Sequence, residues 1–253
     1  GELKHRIEVH TGDELEALLS RLGYGVAFTG AGAARHAVVT APRGRTAVFV
    51  GDLVDRGPRT PDVLRIVMAM VAAGIGLCVP GNHDAKLTRW LKGNKVEPTH
   101  GLDISIRQFE AEPVALRGEV ERFFESLPFH LWLDGGRLAV SHAGILEPML
   151  GQVSDRVRRF CLYGDTDGQR DEKGLSIRYN WAVGHTGPTT IVYGHIPVAE
   201  PAWVNNAVCI DTACCFGNAL TAMRWPEREM VSVAAAGTYY ASKRAFGLPA
   251  PRG

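Results

Sequence analysis

Five short apolar runs in this chain each end in Asp, Asn or His. Ala47–Val50 runs into Gly51-Asp52, Leu77–Val79 into Pro80-Gly81-Asn82-His83-Asp84, and Leu138–Val140 into Ser141-His142. Thr190–Tyr193 leads to Gly194-His195, and Val208–Ile210 directly to Asp211. Imidazole nitrogens, carboxylates and an amide oxygen make a mixed ligand set that suits Mn, Fe, Ni or Zn. No thiolate joins it, which argues against a closed structural zinc site. A carboxylate such as Asp52 can bridge two ions about 3.5–4 Å apart, an arrangement that activates water and neutralises phosphate-ester oxygens. Arg56, four residues beyond Asp52, could clamp phosphate with two parallel hydrogen bonds. His83 could donate a proton to a leaving alcohol, with Asp55 or Asp84 orienting its ring.

These residues need a scaffold that brings strand ends together. The five runs are of strand length and alternate with helical patterns. Leu15, Leu18, Leu19 and Leu22 repeat at helical spacing within Asp13–Leu22. Thr60-Pro61 reads as an N-cap and a first-turn proline ahead of Val63, Ile66, Val67 and Met70. Val120, Phe123, Phe124 and Leu127 form a third helical stripe before Pro128. Alternation of this kind predicts one α/β domain over residues 1–253. In open α/β sheets ligands sit beyond the carboxyl ends of the strands, so Asp52, Asn82, His142, His195 and Asp211 are expected at one crevice.

Composition narrows the class. The 253 residues carry 28 Lys and Arg against 27 Asp and Glu, with 45% hydrophobic and 22% charged residues. Disorder, collagen and coiled coil are excluded. The longest apolar stretch, Ile66–Leu77, is shorter than the about 20 residues a membrane span requires. A net charge of +1 argues against bulk electrostatic binding of nucleic acid but leaves room for a local basic patch. Five cysteines without paired spacing point to buried free thiols and a cytoplasmic setting. The first residue is Gly1 rather than Met, which suggests further domains upstream.

The ordered blocks Gly51-Asp52-Leu53-Val54-Asp55-Arg56-Gly57, Gly81-Asn82-His83-Asp84, His142-Ala143-Gly144 and Gly194-His195 resemble the signature of calcineurin-like metallophosphoesterases. Within that superfamily the chain looks most like the phosphatase module of bacterial polynucleotide kinase-phosphatase, over roughly residues 13–233. The stretches that carry this likeness are Cys78–Asp84, Lys86–Gly93, Thr99–Leu102, Tyr163–Thr166, Glu200–Asn206 and Cys209–Thr212.

The resemblance implies a fold of two mixed β-sheets flanked by helices. It implies two divalent transition-metal ions, Mn foremost with Ni, Fe or Zn as alternatives. Asp52 would bridge them, and Asn82, His142 and His195 would complete one shell. Asp211 matches a further functional aspartate. Arg56 would grip phosphate beside Asn82 and His83, and His83, backed by Asp55, would act as acid. Glu8-Val9-His10 keeps the two-residue spacing of the family's Asp-x-His, with Glu in place of Asp, so residues 1–12 diverge; residues 234–253 form an extension. The expected activity is removal of phosphate from RNA or oligonucleotide 2′/3′ ends and opening of ribose 2′,3′-cyclic phosphates. The expected partners are such ends and kinase and ligase domains of the same polypeptide or repair complex, without a membrane; a homodimer stays open. Two enzymes share the core signature and stand as alternatives, a protein serine/threonine phosphatase and a diadenosine tetraphosphate hydrolase. A degenerate module that binds nucleic-acid ends is the alternative from another class. Two basic clusters remain: Lys86, Arg89, Lys92 and Lys95 with Trp90, and Arg156, Arg158 and Arg159. Either a nucleic-acid track or a solvated helix face accounts for the first.

Overall fold

Two five-stranded mixed sheets face each other across a layer of Val, Leu and Ile side chains. The computed structural model describes residues 3–7, 11–172 and 174–252, and for residues 3–7 the course of the backbone alone. In the first sheet β1 (Leu3–Ile7) lies between β4 (Arg45–Phe49), to which it is parallel, and β11 (Ala219–Trp225), to which it is antiparallel. Parallel β5 (Gly76–Cys78) and antiparallel β12 (Met230–Ala234) extend the order to β12-β11-β1-β4-β5. In the second, β7 (Leu138–Ser141), β8 (Thr190–Tyr193) and β10 (Ala207–Cys209) are parallel. Antiparallel β6 (His130–Leu133) and β9 (Ala202–Val204) close its edges in the order β6-β7-β8-β10-β9. A separate hairpin joins β2 (Gly25–Thr29) to β3 (His36–Thr40).

Period-two alternation assigns each strand residue to a layer. Val48 and Val50 from the first sheet meet Leu138, Val140, Val192 and Val208 from the second in the central layer. Their neighbours Ala47 and Phe49 turn outward onto helices α1 (Gly12–Arg21), α2 (Thr60–Ala72) and α5 (Val114–Ser126). Helices α3 (Asn82–Leu91) and α4 (Leu102–Glu110) complete that outer layer through Leu87, Leu102 and Phe109. On the other side Ile191, Tyr193, Ala207 and Cys209 pack against Val157 and Cys161 of α6 (Asp155–Tyr163). The α1 stripe Leu15, Leu18 and Leu19 is fully buried, each side chain contributing roughly 1.5–3 kcal/mol.

Helix α2 starts at Thr60 itself, because Arg59 takes the left-handed conformation at φ 61°. Gln108 Oε1 accepts the Thr60 backbone N–H at 2.7 Å, which meets the need that a side-chain cap would otherwise serve. The parallel strands β4, β5, β7, β8 and β10 release Asp52, Asn82, His142, His195 and Asp211 at or just beyond their carboxyl ends. All five cysteines are free and buried. Among the described residues no helix is long and apolar enough to cross a membrane.

Candidate metal centre and substrate cavity

The loops that leave these strands are bent by residues in the left-handed region, where side chains other than Gly cost of order 1–3 kcal/mol each. Asp52, Asp55, Arg56 and His195 sit there at φ 52°, 73°, 64° and 71°. Buried hydrogen bonds hold the bends. The Asp84 carboxylate accepts from Leu53 N–H at 2.9 Å and Gly81 N–H at 2.8 Å, clamping the loop after β4 to the loop after β5. Asp84 therefore positions backbone rather than orienting His83. Burial, reinforced by neighbouring Asp52, pushes the Asp84 carboxyl well above its ordinary range. Gly81 is required for space: its φ of −93° suits any residue, but a Cβ would lie 2.0 Å from Asp52 Oδ1.

Acceptor atoms converge inside this frame. His142 Nδ1 lies 2.9 Å from the Val50 carbonyl, which can only accept, so Nδ1 carries the proton and Nε2 presents a bare lone pair. That Nε2 lies 3.0 Å from Asn82 Oδ1, 3.1 Å from His195 Nδ1 and 3.4 Å from Asp52 Oδ1. Donor atoms of Asp52, His142 and His195 all fall within 4.8 Å of one another, in buried surroundings. Burial lowers the pKa of His142, and lowers that of His195 further with help from Arg178, so both rings are neutral and able to ligate. The acceptor lone pairs of His142 Nε2, Asn82 Oδ1 and Asp52 Oδ1 crowd together here, a cation between them relieves their repulsion, and a nitrogen–oxygen set of this kind fits a divalent transition metal.

A second chain of hydrogen bonds runs beside the first. Ser105 Oγ donates to Asp55 Oδ1 at 2.7 Å and accepts from the Asp55 N–H at 2.8 Å. Asp55 Oδ2 lies 2.6 Å from His83 Nδ1, and Arg56 Nη2 lies 2.8 Å from His83 Nε2. Arginine only donates, so Nε2 accepts and the ring proton rests on Nδ1 against Asp55. The Arg56 guanidinium also stacks over Phe216, 5.1 Å from the ring centroid.

Both chains open into a cavity of about 280 Å³. Basic side chains dominate its wall: Arg56, Lys86, Arg170, Arg178, Lys243 and Arg244, against the carboxylates Asp52 and Asp211. Burial lowers the Arg178 guanidinium to about 10, still charged at neutral pH. The C-terminal segment crosses the mouth and adds Tyr240 to the lining. Arg244 ties it to the facing loop through the Ser176 carbonyl at 2.8 Å and Asp171 at 3.5 Å.

Of the expected metal ligands, Asp52, Asn82, His142 and His195 come together. Asp211 lines the same cavity outside that cluster, with Oδ1 accepting from the Ala213 N–H at 3.1 Å. Burial pushes its carboxyl up to about 6, although that hydrogen bond and Arg56 pull the other way. Glu8 and His10 lie outside the described residues. The preceding residue Ile7 pairs with Phe49, so the chain leaves β1 beside the strand that delivers Asp52. In the first basic cluster Lys92 pairs with Glu125, and Trp90 packs on the outer core under the Arg117 guanidinium. Lys86 is the member that reaches the cavity. Ser105, Arg178, Tyr240, Lys243 and Arg244 were not singled out by the sequence. The aromatic and basic run Tyr239-Tyr240-Ala241-Ser242-Lys243-Arg244 was a usable signal; Arg178 had none.

Comparison with known proteins agrees with this geometry. The family described as calcineurin-like phosphoesterase matches residues 10–223. An asymmetrical bis(5'-nucleosyl)-tetraphosphatase PrpE from Bacillus velezensis is 43% identical over 235 residues, 91% of each chain. The protein of the same name from Bacillus subtilis is 41% identical over 225 residues, covering 87% of this chain and 89% of its own. Among solved structures, a serine/threonine phosphatase from Saccharomyces cerevisiae shares the fold, with a TM-score of 0.59, 12% identity and coverage of 92% of this chain and 79% of its own. The expected likeness to polynucleotide kinase-phosphatase is corrected by these relatives. The block Cys78–Asp84 behind it supplies Asn82 and His83, which belong to the signature shared across the superfamily, whereas identity over nine-tenths of the chain does separate branches. The chain belongs to the calcineurin-like phosphoesterases, metal-dependent hydrolases of phosphate esters.

Proposed function

We propose that the protein hydrolyses dinucleoside polyphosphates, with diadenosine tetraphosphate as the representative substrate. The observation that carries this reading is the ring of six basic side chains around one small cavity, more cation than a single phosphate monoester can use. A four-phosphate chain can engage them all. The relatives from Bacillus velezensis and Bacillus subtilis, named as tetraphosphatases, support the same choice.

In this reading Asp52, Asn82, His142 and His195 hold a divalent ion, and Glu8 and His10 contribute to a second. Bound ions of this kind supply Lewis-acid activation of water and neutralisation of phosphoryl oxygens. Arg56 binds the scissile phosphoryl group, for which it turns from His83 Nε2 towards the substrate. His83, released from Arg56, takes a second proton from solvent at Nε2 and passes it to the leaving oxygen, returning to the neutral ring, while Asp55 stabilises the imidazolium. Arg178, Lys243 and Arg244 bind the remaining phosphates.

Hydrolysis of diadenosine tetraphosphate, a 2′,3′-cyclic nucleotide and a phosphopeptide by the Mn²⁺-loaded protein tests the choice. The tetraphosphate should show the highest kcat/KM. Preference for the cyclic nucleotide would return the protein to RNA ends, and preference for the phosphopeptide would make it a protein phosphatase.

A further inference from the structure

A second and larger cavity, about 760 Å³, lies beside the metal centre. It shares Tyr163, Ser176, Arg178 and His195 with the smaller one, so the two are continuous. Small-molecule sites span about 300–1,000 Å³, which places the 280 Å³ catalytic cavity below the range and this neighbour within it. The larger neighbour offers the additional room that a dinucleotide needs.

Helix α6 forms one wall. Arg156, Arg159, Phe160 and Tyr163 follow one another at i, i+3, i+4 and i+7 and all line the cavity, while Val157 and Cys161 face the core. Among the described residues Arg156 and Arg159 form no ion pair. Leu146, Met149 and Trp181 supply an apolar floor. The Trp181 indole is held by its Nε1–H donating to the Ala143 carbonyl at 3.0 Å, with Phe160 edge-on at 6.2 Å. Tyr163 stands 45% exposed at the junction of the two cavities.

We propose that this cleft is a nucleoside subsite, resting on the dinucleoside polyphosphate reading above. It takes one base and ribose of the substrate while the adjoining phosphate reaches the metal centre past His195 and Arg178. The Tyr163 ring offers the base a stacking face, the apolar floor covers its far edge, and Arg156 and Arg159 donate to ribose and phosphate oxygens.

Competition kinetics with a small chromogenic monoester, p-nitrophenyl phosphate, tests the subsite without needing the tetraphosphate to be a substrate. AMP should inhibit its hydrolysis about tenfold more tightly than inorganic phosphate, the scale of one base stacked on an aromatic ring. Arg159→Ala and Tyr163→Ala should collapse that difference, and Tyr163→Phe should restore it. Both side chains are exposed, so the variants retain the fold. Equal inhibition by AMP and phosphate in the parent, or an undiminished difference in both alanine variants, would overturn the subsite. If the parent leaves diadenosine tetraphosphate intact but shows the AMP preference, the functional reading fails and the nucleoside subsite stands.

Discussion

Arg56 and His83 are joined by a hydrogen bond of 2.8 Å in which arginine donates to Nε2. This contact sets which nitrogen of the His83 ring accepts. With Arg56 on Nε2 and Asp55 on Nδ1, His83 is a neutral ring whose free lone pair is already used. In the proposed mechanism, moving Arg56 onto a phosphate would free Nε2 at the moment a proton is needed nearby. Substrate binding and acid catalysis would thereby be coupled through one guanidinium.

Arg56→Ala should reduce turnover far more than metal loading, because its contacts are with His83 and the ring of Phe216 and not with the acceptor cluster. Loss of a charge-assisted contact to the transition state costs about 3 kcal/mol, roughly a hundredfold in kcat. Metal analysis of the variant should match the parent. Parent-like hydrolysis would remove Arg56 from the site.

Asp55→Asn tests the carboxylate that supports His83. The carboxylate accepts from both Ser105 Oγ and His83 Nδ1, and a single amide oxygen cannot replace both oxygens. The expected result is a 10–100-fold fall in kcat, in the range seen when a supporting hydrogen-bond partner is lost. The loss should be greatest for substrates with poor leaving groups, since those need the His83 proton most. Equal losses for good and poor leaving groups would count against proton transfer.

Gly81→Ala tests space alone. The backbone there is at φ −93°, so alanine brings no conformational strain, yet its Cβ would meet Asp52 at both Oδ1, 2.0 Å, and the backbone nitrogen, 2.4 Å, which displaces side chain and loop together. Asp52 must move out of the cluster with His142 and His195. Metal affinity and activity should fall together while secondary structure measured by circular dichroism stays unchanged. Retained metal binding would mean that Asp52 is not needed to hold the ion.

The parts of this site that were legible from sequence share one property: each follows an apolar strand. Asp52, His142 and His195 announced themselves because β4, β7 and β8 are buried on both faces and read as unbroken apolar runs. Strands β2, β3 and β9 were not legible, since they are short and half-exposed, and in β2 and β3 apolar Ala27 and Val38 at exposed positions blur the alternation. Arg178 could not be found for a different reason. It lies between isolated bridges in a loop, and its place in the cavity depends on contacts with residues distant in the chain. Signature blocks identified the metal pocket shared by many phosphoesterases. The residues proposed to bind the rest of a substrate, such as Lys243 and Arg244, line the cavity from outside those blocks.

The C-terminal segment that carries Tyr240, Lys243 and Arg244 hangs on Glu14. Glu14 is 3% exposed, and its Oε1 accepts from the Ala236 N–H at 2.8 Å and the Tyr239 hydroxyl at 2.7 Å. The Tyr239 and Tyr240 N–H groups then donate to the Cys215 carbonyl at 3.1 and 3.0 Å, which aims the segment at the cavity mouth. Burial raises the Glu14 pKa, but the hydrogen bonds from Ala236, Tyr239 and Thr11 outweigh it and leave the carboxyl below its ordinary value of 4.5. A folded-state pKa below the unfolded one means that the unfolded chain binds more protons in the interval between them. Stability from Glu14 is therefore complete above pH 4.5 and is lost as pH falls through the lower, folded value. Glu14→Gln keeps the shape and removes the charge, so it should cost roughly 1–3 kcal/mol at pH 7 and flatten that part of the acid limb. It should also raise KM for diadenosine tetraphosphate, because the basic segment is no longer held over the cavity. Urea unfolding from pH 3 to 7 on parent and variant measures the first effect and steady-state kinetics the second. An acid limb of unchanged steepness would show that Glu14 does not anchor the segment.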